Sequence, residues 1–191
     1  MTKFSFVIII VLAFGFLSLQ QLKQVNAPSQ EGQIEWMSFE EAVKKAREDK
    51  EKNGKNTKKI LIDVYTDWCG WCKKMDKATF QHASIAPYVN EHFYAVKLNA
   101  EQKEDIQFDG KTFKFVASGR SGYHELAAAL LKGQLSFPTV VFLDEQFRMI
   151  QPIPGYQGPK QFDTILHYLA EDHFLKTPWD KFQASYTSAI E

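Results

Sequence analysis

Ile60-Leu61-Ile62-Asp63-Val64-Tyr65-Thr66-Asp67-Trp68-Cys69-Gly70-Trp71-Cys72-Lys73 is the stretch on which the fold turns. Its first six residues are apolar apart from Asp63, which predicts a strand over 60–65 buried on both faces and therefore covered by helices on both sides. Cys69 and Cys72, the only two cysteines in 191 residues, follow where that strand feeds a helix. A C-x-x-C at such a junction reads as redox chemistry. The unpaired N–H groups of a helix start carry partial positive charge and favour thiolate over thiol, so Cys69 is the expected nucleophile, exposed and easily ionised. Cys72, one turn further in, is less accessible and is the expected resolving thiol.

Upstream, Lys3 precedes an apolar stretch over 4–19 and a polar one ending Val25-Asn26-Ala27. This reads as an export signal over 1–27, or alternatively as an uncleaved N-terminal membrane anchor, and residues 28–33 read as a linker. With 23 basic and 23 acidic residues the formal net charge is zero, and nothing points to nucleic acid. Two cysteines spaced too tightly for a structural staple are there to react. A zinc site is not expected, because the pair plus His82 supplies three ligands where a structural zinc takes four.

Downstream and upstream of the central strand the pattern alternates. Ser38 and Glu41 form a capping box for a helix over 39–49, followed by a charged loop over 50–59. Further strands are expected over 34–36, 94–98, 140–143 and 148–153. Asp109-Gly110 predicts an inserted hairpin between 106–108 and 112–116, and a helix is expected over 123–132 with Gly133 as its stop. Gly158-Pro159 starts an amphipathic helix carrying Phe162, Ile165, Leu166 and Leu169, and Thr177-Pro178 caps a last one carrying Trp179 and Phe182. The order describes an α/β fold with a central mixed sheet between two helical layers.

The run 60–73 resembles the active-site strand and motif of the thioredoxin superfamily, Phe137-Pro138-Thr139 looks like its cis-proline loop, and Gly155 matches its third landmark. The resemblance implies a thioredoxin-like three-layer domain over 34–172, with an insertion over 102–122 and a helical extension over 173–191. It implies that Cys69 and Cys72 form a redox-active disulfide needing no other cofactor. It further implies that buried Asp63 exchanges a proton with the resolving thiol and that Pro138 is cis. Substrate contact would then fall to Trp68, Gly70, Trp71, Phe137, Pro138 and Gly155. The core Asp67 to Met75 followed by Thr79-Phe80 looks like the exported thioredoxin-like proteins of Bacteroidetes-type bacteria.

The function so implied is a protein-disulfide reductase of the periplasm, a monomer acting on protein thiols and disulfides. A single dithiol must be recharged, so a redox partner is expected, such as a membrane electron conduit. The competing reading is a redox-sensitive protein-binding module without turnover, in which the insertion and the last helix recruit a partner.

Overall fold

A computed structural model describes residues 32–54, 58–119 and 121–191, so the export segment expected over 1–27 lies outside the described residues. Five strands form one mixed sheet. The central strand β2 (Lys59–Tyr65) runs parallel to β3 (Phe93–Asn99) and antiparallel to β8 (Thr139–Leu143). At the edges, β1 (Trp36–Met37) lies parallel to β3, and β9 (Met149–Pro154) lies antiparallel to β8. The order across the sheet is thus β1-β3-β2-β8-β9.

Side chains alternate across a strand, so the sheet carries two cores. Ile60, Ile62 and Val64 face α1 (Phe39–Asn53) and α4 (Glu125–Leu130), where Phe39, Val43, Leu126 and Leu130 are buried. Leu61 and Phe142 face the other way. They pack with Met75, Phe80 and the buried faces of α3 (Ile85–His92) and α5 (Pro159–Ala170), including Val89, Phe162 and Leu166. Asp63 shares the parity of Leu61 and therefore points into this second layer.

Helix α1 begins as expected. Ser38 accepts from the Glu41 N–H at 3.2 Å, and the Glu41 carboxylate accepts from the Ser38 N–H at 2.8 Å. The expected stop at residue 49 is corrected: the helix runs on to Asn53 and ends at Gly54, whose φ of 73° closes it in the left-handed region. The last turn has no apolar residue, so its hydrophobic periodicity ends a turn before the backbone does.

The insertion differs more. Its first hairpin, β4 (Ile106–Phe108) and β5 (Lys111–Phe113), turns at Asp109 and Gly110, which both have positive φ. Ile106 and Phe113 are buried in the first core, and Phe108 stands edge-on to Phe39 at 5.2 Å. A second hairpin follows, β6 (Phe115–Ser118) and β7 (Ser121–His124). It overturns the helix expected from 123, which starts only at Glu125. His124 instead ends a strand and caps α4, its Nδ1 accepting the Leu126 N–H at 3.3 Å.

Beyond α5 the chain folds back on itself. Tyr168 donates its hydroxyl to the Thr177 carbonyl at 2.7 Å, and α6 (Trp179–Ser185) buries Phe182 beside Tyr168 and Tyr186. Among the described residues no helix is long and apolar enough to cross a membrane.

Candidate active site

Cys69 is the N-cap of α2 (Gly70–Met75), which continues into a π-type turn over Asp76–Phe80. Thr66 accepts the Cys69 N–H at 3.1 Å, a tight turn that lifts the chain off the end of β2 and into the helix. Cys69 and Cys72 are joined in a disulfide, and the Cys72 N–H points at the Cys69 sulfur at 3.0 Å. A negative charge on that sulfur would therefore meet an oriented donor at the positive end of the helix.

The expected exposure of the first sulfur is corrected. Cys69 is 5% exposed and Cys72 3%, so the two scarcely differ. Bonded to one atom of Cys72 and receiving a hydrogen bond from another, Cys69 is drawn down onto the helix start. The solvent-facing rim belongs to Trp68 and Trp71, 67% and 55% exposed, and to Gly70, around which a side chain would find open space.

Against the helix lies a charge cluster in which Asp63 is buried and Lys97 and Asp76 are half-buried. The Asp63 Oδ2 lies 2.6 Å from the Lys97 Nζ. Lys97 also contacts Asp76, whose N–H donates to the Cys72 and Lys73 carbonyls. A chain of contacts thus runs from Asp63 through Lys97 and Asp76 to the backbone of the second cysteine. Burial pushes the Asp63 carboxyl up to about 6, and Lys97 only partly opposes it. Burial works against the Lys97 ammonium, but Asp63 and Asp76 outweigh it and hold its value above the usual lysine range. Asp63 Oδ1 is buried with no hydrogen-bond partner among the described residues, as is the Thr66 hydroxyl. A carboxyl that changes protonation near neutral pH and keeps one oxygen unengaged can accept and return a proton.

The third part is the loop before β8. The Phe137–Pro138 peptide bond is cis. Thr139 donates its hydroxyl to the Ser136 carbonyl at 2.8 Å, and Gly155 donates its N–H to the Pro138 carbonyl at 2.8 Å. Gly155 has φ 85°, a conformation that favours glycine. Among the described residues no hydrogen bond uses the main-chain N–H or C=O of Phe137, so both are available to an extended segment laid alongside.

Rings tie these parts together. Trp68 stands edge-on to Phe137 at 6.0 Å, which brings the motif against the proline loop. Trp71 lies 5.5 Å from Tyr156, the residue after Gly155, and the Lys74 ammonium sits 4.7 Å above Trp71 and 5.2 Å above Tyr156. Lys74, though exposed, thus lies over two aromatic faces rather than on a bare helix surface. Thr79 anchors the same loop by donating to the Gln157 carbonyl at 2.7 Å.

All nine residues singled out from sequence lie in or beside this region. Sequence reading missed Lys97, Asp76, Tyr156 and Glu101, which accepts the Trp68 indole N–H at 3.1 Å. For Lys97 a signal existed. It is the one charged residue in Phe-Tyr-Ala-Val-Lys-Leu-Asn, a strand otherwise apolar up to its last residue. The other three are brought in by tertiary contacts and leave no pattern in sequence.

The thioredoxin-like domain family matches residues 46–170. The chain is 26% identical over 163 residues to an uncharacterized protein of Caenorhabditis elegans, covering 84% of this chain and 18% of that one. It is 31% identical over 115 residues to the thiol:disulfide interchange protein DsbD of Pectobacterium atrosepticum, covering 59% of this chain and 16% of that protein. It therefore spans less than a fifth of the length of these relatives. Among solved structures, a thioredoxin-fold protein from Helicobacter pylori superposes with a TM-score of 0.54 at 22% identity, covering 68% of this chain and 83% of that one. A DsbH oxidoreductase superposes with a TM-score of 0.51 at 20% identity, covering 76% and 90%. At that identity the likeness is one of fold.

Proposed function

Because the chain belongs to the thioredoxin-like domain family, we propose that it is a thiol-disulfide oxidoreductase that reduces protein disulfides outside the cytoplasm. The observation that carries this reading is the Cys69–Cys72 disulfide at a helix start, with the unpaired main chain of Phe137 nearby. In the reduced protein the Cys69 thiolate attacks one sulfur of the substrate disulfide. The substrate S–S bond breaks, a mixed disulfide forms on Cys69, and the other substrate sulfur leaves as thiolate. Asp63 then takes the proton of the Cys72 thiol, and the Cys72 sulfur attacks Cys69 and releases the second substrate thiolate. Two electrons have passed to the substrate, and the protein is left as the disulfide. A redox partner must return two electrons for the next cycle, and a membrane electron conduit fits that role.

Lys3 followed by the apolar stretch over 4–19 supports export, and with it a periplasmic site for this exchange by a monomer of the exported Bacteroidetes-type branch. Purified protein should reduce insulin faster than an equal concentration of free dithiol. Cys72→Ala should trap mixed disulfides with other exported proteins, since the resolving sulfur is gone. A reduction potential near −270 mV, roughly that of thioredoxin, supports the reductase direction, and one near roughly −120 mV overturns it. Burial of both sulfurs favours one second reading, a binding module whose cysteines lock or sense a partner. That reading takes over if Cys72→Ala traps nothing and insulin is reduced no faster than by free dithiol.

A further inference from the structure

On the Trp68 side of the disulfide the chain builds a groove of 430 Å³ from three separate places in the sequence. Asp67 and Trp68 line it from the motif, Glu101 and Lys103 from the segment after β3, and Phe115 and Gly122 from the second hairpin. Gly122 is required there. A Cβ on it would run into the Phe115 ring and the Val116 carbonyl. The Trp68 ring is fixed at its N–H by Glu101 and at its edge by Phe137, yet two thirds of the residue is exposed. A large aromatic face is thus held rigid and uncovered next to the first cysteine.

Charge indicates what would cover it. Among the described residues, the Asp67 and Glu101 carboxylates accept side-chain hydrogen bonds only from neutral groups, Asn99 Nδ2 at 3.1 Å and Trp68 Nε1 at 3.1 Å. Neither carboxylate has a cationic partner there. Within the groove the Lys103 ammonium lies 3.3 Å from the Phe115 ring centroid, so the groove's aromatic surface already accepts one cation of the chain's own. Across the disulfide the sign reverses, with Lys74 pinned over Trp71 and Tyr156 and Lys73 exposed beside it. The two sulfurs therefore lie between a flank at Trp68 where two carboxylates outnumber the one ammonium of Lys103 and a basic flank at Trp71.

We propose that the groove beside Trp68 is a specificity subsite for a cationic side chain, arginine or lysine, carried by the substrate polypeptide next to its half-cystine. The inference rests on the exchange activity proposed above and names the substrate class that activity favours. A guanidinium in the groove lies on the open face of Trp68 and between two carboxylates that lack a counter-ion. A glutamate in its place meets those carboxylates as a like charge. An aromatic side chain gains the ring contact and nothing from the carboxylates.

The test uses the full chain and octapeptides in which serine replaces the half-cystine, with Arg, Gln, Glu or Phe at the residue before or after it. Binding is followed by tryptophan fluorescence. The Arg peptide should bind about tenfold tighter than the Glu peptide, and the gap should close at about 0.5 M salt. Asp67→Asn with Glu101→Gln should abolish the gap, because each replacement keeps its acceptor oxygen and loses only the charge. Near-UV circular dichroism checks that Trp68 keeps its setting in that variant, and a retained gap there counts against the subsite. Equal affinities for Arg, Gln and Glu, a tighter Phe peptide, or no binding at millimolar peptide overturns the proposal. Serine peptides cannot exchange, so this result is independent of turnover. An Arg preference in a protein that fails to reduce cystine peptides overturns the exchange reading and leaves the subsite standing.

Discussion

Asp63 and Lys97 are register partners on adjacent parallel strands, and their side chains meet at 2.6 Å on the sheet face that the cysteine helix covers. The pair joins an acid whose proton is held up to about 6 by burial to a cation that Asp63 itself and a second acid, Asp76, keep charged. This arrangement opposes stability, since a buried carboxylate must be ionised at neutral pH with one oxygen unpaired.

Asp63→Asn removes that cost. The folded value of about 6 lies above the ordinary 3.8, so the folded state binds more protons between those values. Asp63 therefore costs no stability below pH 3.8, and the penalty grows as pH rises through about 6. At ~1.36 kcal/mol per pH unit the full penalty is about 3 kcal/mol, the attraction of Lys97 being already contained in the folded value of about 6. The variant should be more stable than wild type by about 1–3 kcal/mol in urea titrations at pH 8, and equal or less stable near pH 4. A gain that does not depend on pH would mean that Asp63 is not the group being titrated.

Lys97→Met tests the other partner, replacing an ammonium that lies 4.9, 5.0 and 5.3 Å from the ring centroids of Trp36, Tyr65 and Phe80 with an apolar chain of similar length. Without the ammonium only burial and the Asp76 charge act on Asp63, and both push its proton affinity up. The pH profile for resolution of a mixed disulfide should keep its shape and move upward from about 6. At pH 6.5 the rate should fall several-fold. An unmoved profile would detach Asp63 from the resolving step.

The contrast between these two residues explains what could be read in advance. Asp63 is conspicuous because a carboxylate among Ile, Leu and Val on a two-sided strand needs a reason. Lys97 is ambiguous, since a lysine near a strand end also suits a solvent-facing turn, and only the register of β2 on β3 reveals its partner. The layers were legible for a similar reason: β2 and β8 are apolar on both faces, and Gly158-Pro159 marks the start of α5. The second hairpin was not. Tyr123 and His124 continue the spacing of Leu126 and Ala127, so local pattern favours a helix. Two tertiary backbone bonds, His124 N–H to Ala100 and Glu125 N–H to Lys114, decide for a strand.

Gly122→Ala tests that hairpin. The added methyl meets the Phe115 ring, which can swing toward solvent, and the Val116 carbonyl, which is fixed by the ladder to Tyr123. The backbone must give. The variant should lose about 1–3 kcal/mol, and amide exchange should accelerate over 115–124 while β2 and β3 stay protected. Loss of protection across the whole sheet would instead make the hairpin part of the central folding unit.

The two sulfurs should differ in reactivity where they do not differ in exposure. Cys69 and Cys72 are almost equally buried, so access alone predicts equal labelling of the reduced protein. Their electrostatic settings differ. Cys69 caps the helix and has the Cys72 N–H aimed at it at 3.0 Å, whereas Cys72 lies within the first turn, its carbonyl accepting the N–H of Asp76, which Lys97 links to Asp63. The thiolate is the reacting form, and an oriented donor stabilises it at Cys69. Reduced protein treated with substoichiometric iodoacetamide at pH 7 should carry the label on Cys69 over Cys72 by at least about tenfold, read by peptide mass spectrometry. Lys97→Met should leave that preference in place, because the donor aimed at Cys69 is the Cys72 N–H and the ammonium contacts Asp63 and Asp76 instead. Equal labelling would show that the cap gives the first sulfur no advantage, and would overturn the assignment of Cys69 as the nucleophile.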